Sequence, residues 1–365
     1  MNHAKIALLL PDLAGGGAER VAVTLANAFA RRGLRVDVLV QRSGGVLTPL
    51  LDPRVLVIDL GAPRVREVPT ALAQYLREHQ PNTLVAFMWP LTVIAVIARM
   101  LARSDARLVL SDHSTLSRQY KRLQDRFILR MTIRATYPLA DARVIVSAGA
   151  ADDLAKLTGI RRGSITVLHN PIDLPKLPLV RSEVAERDWR GPGKRILTVG
   201  SLKPEKQHDL LLRSFASLGD GHQLMILGTG TLHDEIVAYA LELGIADRVA
   251  LPGFRVDPWP YYASADAFVL TSRFEGLPLV LVEALHAGLP IVSTDCKSGP
   301  REILEDGAYG RLVPTGNQTA IVEALREALT SLHDAAGQRR RAQHLSGEAS
   351  HARWRKALHV WEEND

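Results

Sequence analysis

The residues best suited to chemistry stand in one run in the second half of the chain. Glu275 and Glu283 are eight positions apart in EGLPLVLVEA, which is followed by HAGLPIVSTDCKSGPREIL. A β-rich stretch at 267–270 precedes the run, and a helical pattern covers 277–287. Glu275 is therefore predicted to lie in a loop at the carboxyl end of a strand, where ligands of open α/β sheets bind.

The helix after this loop is predicted to offer an anion site. Pro278 suits the first helical position, where its missing N–H costs nothing. The N–H groups of Leu279 and Val280 would then point out of the helix start toward a diphosphate. Glu283 is a charge inside an otherwise apolar helix, and a buried carboxylate without a partner is costly. We therefore expect Glu283 to accept hydrogen bonds from a ligand hydroxyl.

A glycine-rich turn stands near the N-terminus. The run GGGAER, residues 15–20, follows a predicted strand at 5–10 and opens a helix. Glycine lets the backbone approach a ligand closely, and a helix start offers N–H groups to an anion. The run is not the GxGxxG fingerprint of dinucleotide-binding folds. A tight strand-to-helix turn without a ligand would look the same.

The elements that must position these residues alternate between strands and helices, which is typical of parallel sheets built from βαβ units. In the first half, strands are predicted at 5–10, 35–40, 83–88, 107–111, 143–147 and 165–168, and helices at 18–32, 68–78, 91–103 and 116–137. In the second half, strands are predicted at 195–199, 223–227, 249–251, 267–270 and 290–293, and helices at 207–218, 232–243, 277–287 and 318–331. The fold class is therefore predicted to be α/β, with two tandem Rossmann-like doubly wound domains.

The alternation is interrupted once, at 170–193, where proline and glycine cluster. Such a stretch is typical of a linker. It separates an N-terminal domain, 1–172, from a second domain, 173–347, and a ligand-binding cleft is expected between them. The last residues, 348–365, predict a helix containing Trp354 and Trp361 that can pack back on the N-terminal domain.

Charge is distributed unevenly between the two halves. Residues 1–172 contain 23 Lys and Arg against 13 Asp and Glu, whereas residues 173–365 contain 22 against 26. The basic half indicates an anionic partner, either a membrane or a nucleic acid.

Cys296 is the single cysteine, which excludes an internal disulfide and suits a reducing compartment. The longest late apolar run, 91–101, is shorter than the roughly 18 residues of a spanning helix, so we expect a cytoplasmic protein, free or attached to a membrane surface.

Segment 116–137 is predicted to form a basic amphipathic helix. Arg118, Arg122, Arg126, Arg130 and Arg134 recur at every fourth residue, and the apolar residues at helical spacing are Leu116, Tyr120, Leu123, Phe127 and Met131. Such a helix suits an anionic membrane surface. Alternatively, its apolar face packs against its own sheet and the arginines are merely solvated.

The run at 275–304 resembles the EX7E element of retaining family 4 glycosyltransferases, also known as group 1, which have the GT-B fold. Four further pieces match in order and spacing: GGGAER, GSLKPEK at 200–206, GTG at 228–230 and PGF at 252–254. The resemblance extends along nearly the whole chain.

The resemblance implies roles for individual residues. Glu275 would hold hydroxyls of the donor sugar, Glu283 the ribose, and Lys206 the diphosphate, aided by the backbone N–H groups of Gly16, Leu279 and Val280. His113 matches a position near the reacting sugar, although a structural histidine would look the same. The other implied donor contacts are Gly17, Lys203, Gly230, Phe254, Gly276 and Ser201, the last standing where many relatives carry an arginine.

The predicted function is therefore transfer of a hexose or N-acetylhexosamine, with retention, from a nucleoside-diphosphate sugar, expected to be uridine-linked. The acceptor is expected to be a saccharide on a lipid carrier at the inner face of the plasma membrane. No Asp-x-Asp motif stands in a suitable loop, so no metal or other cofactor is expected. A sugar-nucleotide epimerase, an NAD-dependent dehydrogenase and an inactive scaffold are alternatives. A nucleic-acid-binding protein is disfavoured because the second half is acidic and lacks a recognition motif.

Overall fold

The computed structural model describes residues 4–359, except for the side chains of residues 348 and 349. The chain divides into two units. The first contains the described residues up to Asp173 and those from Gly347 onward, and the second runs from Leu174 to Ser346. Trp361, assigned above to the last helix, lies outside the described residues.

The first unit is built around a parallel sheet of seven strands in the order β3-β2-β1-β4-β5-β6-β7. The strands are β1 Lys5–Leu10, β2 Arg35–Val40, β3 Leu56–Asp59, β4 Thr83–Phe87, β5 Arg107–Asp112, β6 Ala142–Ile145 and β7 Thr166–Val167. The helices are α1 Gly17–Arg31, α2 Val68–His79, α3 Leu91–Ala102, α4 Leu116–Gln119, α5 Leu123–Thr136, α6 Ala148–Thr158 and, from the end of the chain, α15 Gly347–Leu358. The central strands are almost continuously apolar because helices cover both faces of such a sheet.

The second unit is built around a parallel sheet of six strands in the order β10-β9-β8-β11-β12-β13. The strands are β8 Lys194–Val199, β9 His222–Leu227, β10 Val249–Gly253, β11 Ala267–Leu270, β12 Ile291–Thr294 and β13 Arg311–Val313. The helices are α7 Glu183–Asp188, α8 His208–Ala216, α9 His233–Glu242, α10 Trp259–Ser264, α11 Leu279–Ala287, α12 Pro300–Ile303, α13 Gln318–Thr330 and α14 Ala335–Leu345. The predicted fold class, two doubly wound α/β units, is confirmed.

The strand order reverses once in each sheet. In the first unit β2 and β3 lie on one side of β1, and the chain then crosses to β4 on the opposite side of β1. In the second unit β9 and β10 lie on one side of β8, and β11 lies on the opposite side. Ligands of doubly wound sheets bind beyond the carboxyl ends of the strands at this reversal. The loops after β1, β4, β8 and β11 are therefore expected to contribute to a ligand-binding site.

The prediction of one continuous helix at 116–137 is wrong. Helix α4 ends at Gln119, Tyr120 and Arg122 are extended, and α5 begins at Leu123. Tertiary contacts explain the break: the Ser117 backbone N–H donates to Asp153 at 3.0 Å, and the ring of Tyr120 packs edge-on against Trp89. These contacts turn α4 away from the line that α5 follows.

Several short elements were not predicted. They are the strands β3 and β13 and the helices α6, α7, α10, α12 and α14. Strand β3 is half exposed and only four residues long, and α7 lies inside the proline- and glycine-rich stretch interpreted as a linker. The shorter elements leave patterns too brief to distinguish from loops, whereas α6 and α14 are 11 residues long and were simply missed.

The C-terminal helix α15 belongs with the first unit. The Trp354 side chain is fully buried, and its indole N–H donates to the His169 carbonyl at 3.0 Å. His351 contacts Asp173 at 2.9 Å, and the Gly347 N–H donates to the Ile172 carbonyl at 3.2 Å. The helix is thereby bonded to the residues at which the first unit ends.

Within residues 4–359, membrane-spanning helices and metal-binding clusters are both absent. Within that range no helix is both long and apolar enough to cross a bilayer. In the same part of the chain, no group of three or more His, Cys, Asp and Glu side chains is arranged to hold a metal ion.

Candidate functional site

The loops after β8 and β11 meet at the strand reversal of the second unit. Lys206 follows β8 in a short 3-10 turn, and Glu275 follows β11. Lys206 Nζ lies 2.6 Å from Glu275 Oε1. The Thr271 hydroxyl donates to the Lys206 carbonyl at 2.9 Å, which ties the two loops together. The structure therefore brings two of the predicted site residues into direct contact.

This ion pair is largely shielded from water. The side chain of Lys206 is 17% exposed and that of Glu275 is 12% exposed. The Ser272 hydroxyl also donates to Glu275 Oε1, at 2.6 Å. An ammonium carries three N–H donors, so a lysine bonded to one carboxylate oxygen can also donate to a ligand phosphate.

The loop from Glu275 to α11 is held by the chain that follows β12. The Glu275 N–H donates to the Lys297 carbonyl at 2.9 Å, and the Ser298 N–H donates back to the Glu275 carbonyl at 3.1 Å. The Ser298 hydroxyl donates to the carbonyl of buried Gly276 at 3.1 Å. These bonds fix the backbone at Glu275 and Gly276 just before the start of α11.

Helix α11 begins at Leu279, two residues after the start of the predicted range 277–287. Pro278 is extended, with ψ 94°, and so precedes the helix instead of occupying its first position. Leu279 and Val280 are thus the first two helical residues, and both are partly exposed. The first N–H groups of a helix have no acceptor within it, and the anion site expected at these two residues stays a prediction.

Glu283 lies in α11 and is 6% exposed. A protein partner, Tyr262 of α10, donates its hydroxyl to Glu283 Oε2 at 2.7 Å. The sequence predicts only a ligand as the partner of Glu283, because Tyr262 is 21 residues away and no local pattern links the two residues. A carboxylate has about four acceptor positions, and the bond from Tyr262 occupies one of them.

The remaining predicted donor contacts lie at the same edge of the sheet, in the loops after β8, β9 and β10. Ser201 and Lys203 follow β8, Gly230 follows β9, and Phe254 follows β10. The Leu202 N–H donates to the Thr229 carbonyl at 2.9 Å, which joins the first two loops. Lys203 and Gly230 are exposed, and Ser201 and Phe254 are partly exposed.

Gly16 and Gly17 lie where β1 leads into α1. Gly16 precedes the helix and Gly17 is its first residue. A Cβ on Gly16 would lie 2.2 Å from the Glu19 carboxylate, whereas one on Gly17 would meet nothing within 4 Å. The turn at Gly16 is therefore closed by a carboxylate of the same helix, and Gly17 faces open space.

His113 follows β5 in the first unit, two strands from β1 in the sheet. Its Nε2 lies 2.9 Å from the Ser111 hydroxyl, and its ring stacks on Phe87 with centroids 5.3 Å apart. Burial disfavours the charged imidazolium and lowers the pKa of His113 to about 3, while a side-chain hydrogen bond with Asn170 acts in the opposite direction. The imidazole is therefore neutral near pH 7 and can exchange hydrogen bonds with a hydroxyl.

Beside His113, Asp112 is a fully buried carboxyl. Burial raises the pKa of Asp112 to about 6, although a hydrogen bond from the Tyr137 hydroxyl, 2.6 Å away, opposes the shift. The residue anchors the end of β5 through Tyr137, whose oxygen also lies 2.9 Å from the Thr92 hydroxyl.

The outward face of α5 carries both apolar and basic side chains. Leu129 and Ile133 are its buried residues, whereas Leu123 is 83% exposed and Phe127 66% exposed. We call the exposed residues of this helix the α5 surface; it comprises Leu123, Phe127, Ile128 and Met131 together with Arg126, Arg130 and Arg134. Of the predicted apolar stripe, Leu123, Phe127 and Met131 are exposed, whereas Leu116 is buried. Helix α5 packs on the core of its unit through Leu129 and Ile133, so the alternative of a packed helix with a solvated basic face remains.

Comparison with solved structures assigns the fold. Anabaena HepE, solved in complex with UDP and glucose, superimposes with a TM-score of 0.83 at 20% sequence identity, over 98% of this chain and 100% of HepE. The chain therefore has the GT-B fold, with two doubly wound parallel sheets.

Comparison with known sequences assigns the family. Residues 15–176 match the family model Glycosyltransferase Family 4, and residues 181–344 match Glycosyl transferases group 1. The N-acetylgalactosamine-N,N'-diacetylbacillosaminyl-diphospho-undecaprenol 4-alpha-N-acetylgalactosaminyltransferase of Campylobacter jejuni is 31% identical over 336 residues, covering 89% of this chain and 90% of the relative. The lipopolysaccharide 1,6-galactosyltransferase of Escherichia coli K12 is 27% identical over 277 residues, covering 74% and 72%.

This chain belongs to the family 4, group 1 glycosyltransferases, and it is an enzyme of that class. The family assignment decides in favour of the transferase against the epimerase, the dehydrogenase and the nucleic-acid-binding protein weighed above.

Proposed function

We propose that this enzyme transfers a hexose or N-acetylhexosamine, with retention of anomeric configuration, from a uridine-diphosphate sugar to a saccharide on a membrane lipid carrier. The donor is held mainly by residues 173–347 and the acceptor by residues 1–172. The observation that carries the proposal is the contact between Lys206 and Glu275 beside the start of α11.

The chemistry follows from charge. Glycosyl transfer passes through an oxocarbenium-like state while negative charge grows on the departing diphosphate. Lys206 and the N–H groups of Gly16, Leu279 and Val280 would stabilise that charge without a metal ion. Ser201 and Lys203 would add phosphate contacts.

Each remaining residue would hold one part of the substrates. Glu275 and Gly276 would accept and position hydroxyls of the sugar, Glu283 those of the ribose, and Gly230 and Phe254 would line the nucleotide. In the first unit, neutral His113 would bond a hydroxyl of the reacting sugar and Gly17 would leave room for the diphosphate. The acceptor oxygen attacks from the face that the diphosphate leaves, and the diphosphate takes its proton, so no separate protein nucleophile is assigned.

The names of relatives support this assignment of substrates. The Campylobacter relative is named for transfer of N-acetylgalactosamine to a diphospho-undecaprenol-linked saccharide. The Escherichia coli relative is named a lipopolysaccharide galactosyltransferase, and HepE was crystallised with UDP and glucose.

Calorimetry tests the donor site. UDP, GDP, ADP and NAD are titrated into the wild-type enzyme, Glu283→Ala and the control Glu323→Ala, which changes an exposed glutamate of α13. We expect UDP to bind most tightly, with affinity lost only in Glu283→Ala. Preference for another nucleoside diphosphate would overturn the uridine assignment, and failure to bind any would overturn the donor site.

Turnover tests the chemistry. With a UDP-sugar and a lipid-linked acceptor, Glu275→Ala should lose about 100-fold or more in kcat while it still binds UDP, because its contacts are to the sugar. The proton coupling at the new anomeric centre reports retention; the inverted anomer would contradict the proposed stereochemistry.

We further propose that the enzyme works in the cytoplasm, docked on the inner face of the plasma membrane through the α5 surface. Exposed Phe127 and Met131 would enter the interface, and the adjacent arginines would contact anionic headgroups, at about 1 kcal/mol each. The net positive charge of residues 1–172 supports this orientation.

Vesicle sedimentation tests the docking. Binding to phosphatidylglycerol-containing vesicles is compared for the wild type, Phe127→Ser/Met131→Ser and Arg126→Gln/Arg130→Gln. The control is Val180→Ser/Leu241→Ser, which removes exposed apolar residues from the second unit. Both α5 variants should bind more weakly and the control should not; equal binding of the wild type to neutral and anionic vesicles would overturn the electrostatic part.

A further inference from the structure

Each of the two glutamates in the candidate site is bonded to a buried hydroxyl that the sequence did not single out. Ser272 is fully buried, and its hydroxyl donates to Glu275 Oε1 at 2.6 Å. Its own backbone is held in turn, because the Thr294 hydroxyl donates to the Ser272 carbonyl at 2.7 Å. Ser272 therefore has a fixed position beneath Glu275.

The second hydroxyl belongs to Tyr262. Its side chain is 1% exposed, and the hydroxyl lies 2.7 Å from Glu283 Oε2. The ring stacks on Phe268 of β11 with centroids 5.8 Å apart, and Trp259 packs on it at 5.6 Å. A ring enclosed in this way keeps its hydroxyl in one place.

A glutamate side chain has several rotatable bonds and loses conformational entropy when a ligand orders it. A donor already bonded to one oxygen fixes the plane of the carboxylate before the ligand arrives. Recognition groups whose orientation is set by surrounding residues bind at lower entropic cost. The two hydroxyls act on different glutamates, since that of Ser272 bonds Glu275 and that of Tyr262 bonds Glu283.

We propose that Ser272 and Tyr262 are positioning residues for the donor: Ser272 orients Glu275 toward the sugar, and Tyr262 orients Glu283 toward the ribose. This inference rests on the proposed function, because it assigns the two glutamates to different parts of the donor. It therefore requires the two hydroxyls to affect different steps of the reaction.

The test removes each hydroxyl without changing the ring or backbone. Tyr262→Phe should raise the Kd of UDP about 10-fold, in the range of a hydrogen bond to a charged group, with kcat within about 2-fold. Ser272→Ala should lower kcat about 10-fold or more, because an interaction made to the reacting sugar is weakened, with the Kd of UDP changed less than about 2-fold.

Two control variants remove hydroxyls that do not touch either glutamate. Ser293→Ala alters a fully buried serine of β12, whose hydroxyl bonds the Thr294 carbonyl, and Tyr239→Phe alters a tyrosine of α9. Both should retain the wild-type Kd and kcat. In a Glu283→Ala background, Tyr262→Phe should have no further effect on UDP binding, because its partner is gone.

Three outcomes would overturn the inference. Unchanged Kd in Tyr262→Phe and unchanged kcat in Ser272→Ala would remove both roles. A higher Kd together with a lower kcat and a lower Tm in both variants would indicate a purely structural effect. An undiminished effect of Tyr262→Phe in the Glu283→Ala background would show that the hydroxyl acts elsewhere. In each case wild-type UDP binding would stand, whereas its absence would defeat the proposed function itself.

Discussion

The Lys206–Glu275 ion pair places two charges where water reaches little of either side chain. Breaking such a pair from one side leaves an uncompensated charge, which commonly costs more than removing both. We predict that Lys206→Met lowers the free energy of unfolding by about 2–4 kcal/mol. The double variant Lys206→Met/Glu275→Gln should regain most of that loss while staying inactive. Urea unfolding measures both.

The matched control is an exposed pair of the same unit. Arg187 and Glu183 lie 3.0 Å apart with side chains 77% and 87% exposed, so Arg187→Met should change stability by no more than about 0.5 kcal/mol. A double variant as unstable as Lys206→Met would show that the ion pair is not the cause.

Asp112 makes stability depend on pH in the direction opposite to a salt-bridged carboxylate. Because burial raises the pKa of its carboxyl to about 6, the folded state binds this proton more tightly than the unfolded state. The contribution is full below about pH 4 and is lost as the pH rises through about 6, with a total of up to about 3 kcal/mol. Asp112→Asn lacks this term, so we predict that its stability relative to the wild type improves between pH 4 and pH 7.

Urea unfolding at intervals of one pH unit checks this prediction. Tyr137→Phe is the companion variant, because it removes the hydroxyl that bonds Asp112 and lowers its pKa. In this variant the pH-dependent loss of stability should therefore extend to higher pH than in the wild type. A constant difference between Asp112→Asn and the wild type across pH 4–8 would contradict the prediction.

At the scale of elements, the loops after β8 and β9 approach each other so closely that a side chain has no room. A Cβ on Gly230 would lie 2.4 Å from the Leu202 carbonyl oxygen and 2.7 Å from its backbone nitrogen. We predict that Gly230→Ala costs about 1–3 kcal/mol and weakens donor binding, because the backbone must shift. Unfolding and calorimetry measure the two effects.

Gly163→Ala serves as the comparison, because a Cβ there meets nothing within 4 Å and the backbone is not left-handed. It should be neutral or slightly stabilising. Equal stability of the Gly230 and Gly163 variants would mean that the loops after β8 and β9 can separate without cost.

The same scale shows where local patterns succeed and where they fail. The helix that carries Glu283 was predicted to within a few residues, because its apolar periodicity and its flanking proline and glycine are local signals. The break at Tyr120 was not predicted, since the partners that cause it, Trp89 and Asp153, lie about thirty residues away on either side.

At the scale of the whole molecule, the last helix stabilises the first unit although it is distant in sequence. Trp354 is fully buried and bonded to the His169 carbonyl. We predict that Trp354→Ala costs about 3–5 kcal/mol, the range for deleting a buried aromatic side chain. Urea unfolding followed by limited proteolysis should place the loss in the first unit.

Arg353→Ala on the same helix changes an exposed side chain and should remain within about 0.5 kcal/mol of the wild type. Wild-type stability of Trp354→Ala would contradict the assignment of α15 to the core of the first unit.

The sequence alone determined the alternation of strands and helices, the reading of two doubly wound units, and the candidacy of Lys206, Glu275 and Glu283. These follow from periodicity and from motifs a few residues long, which are local properties. The tertiary structure decided that Tyr262 bonds Glu283 and that Leu123, Phe127 and Met131 of α5 face outward. Such facts depend on which distant segments pack together, and packing partners separated by tens of residues leave no trace in a local pattern.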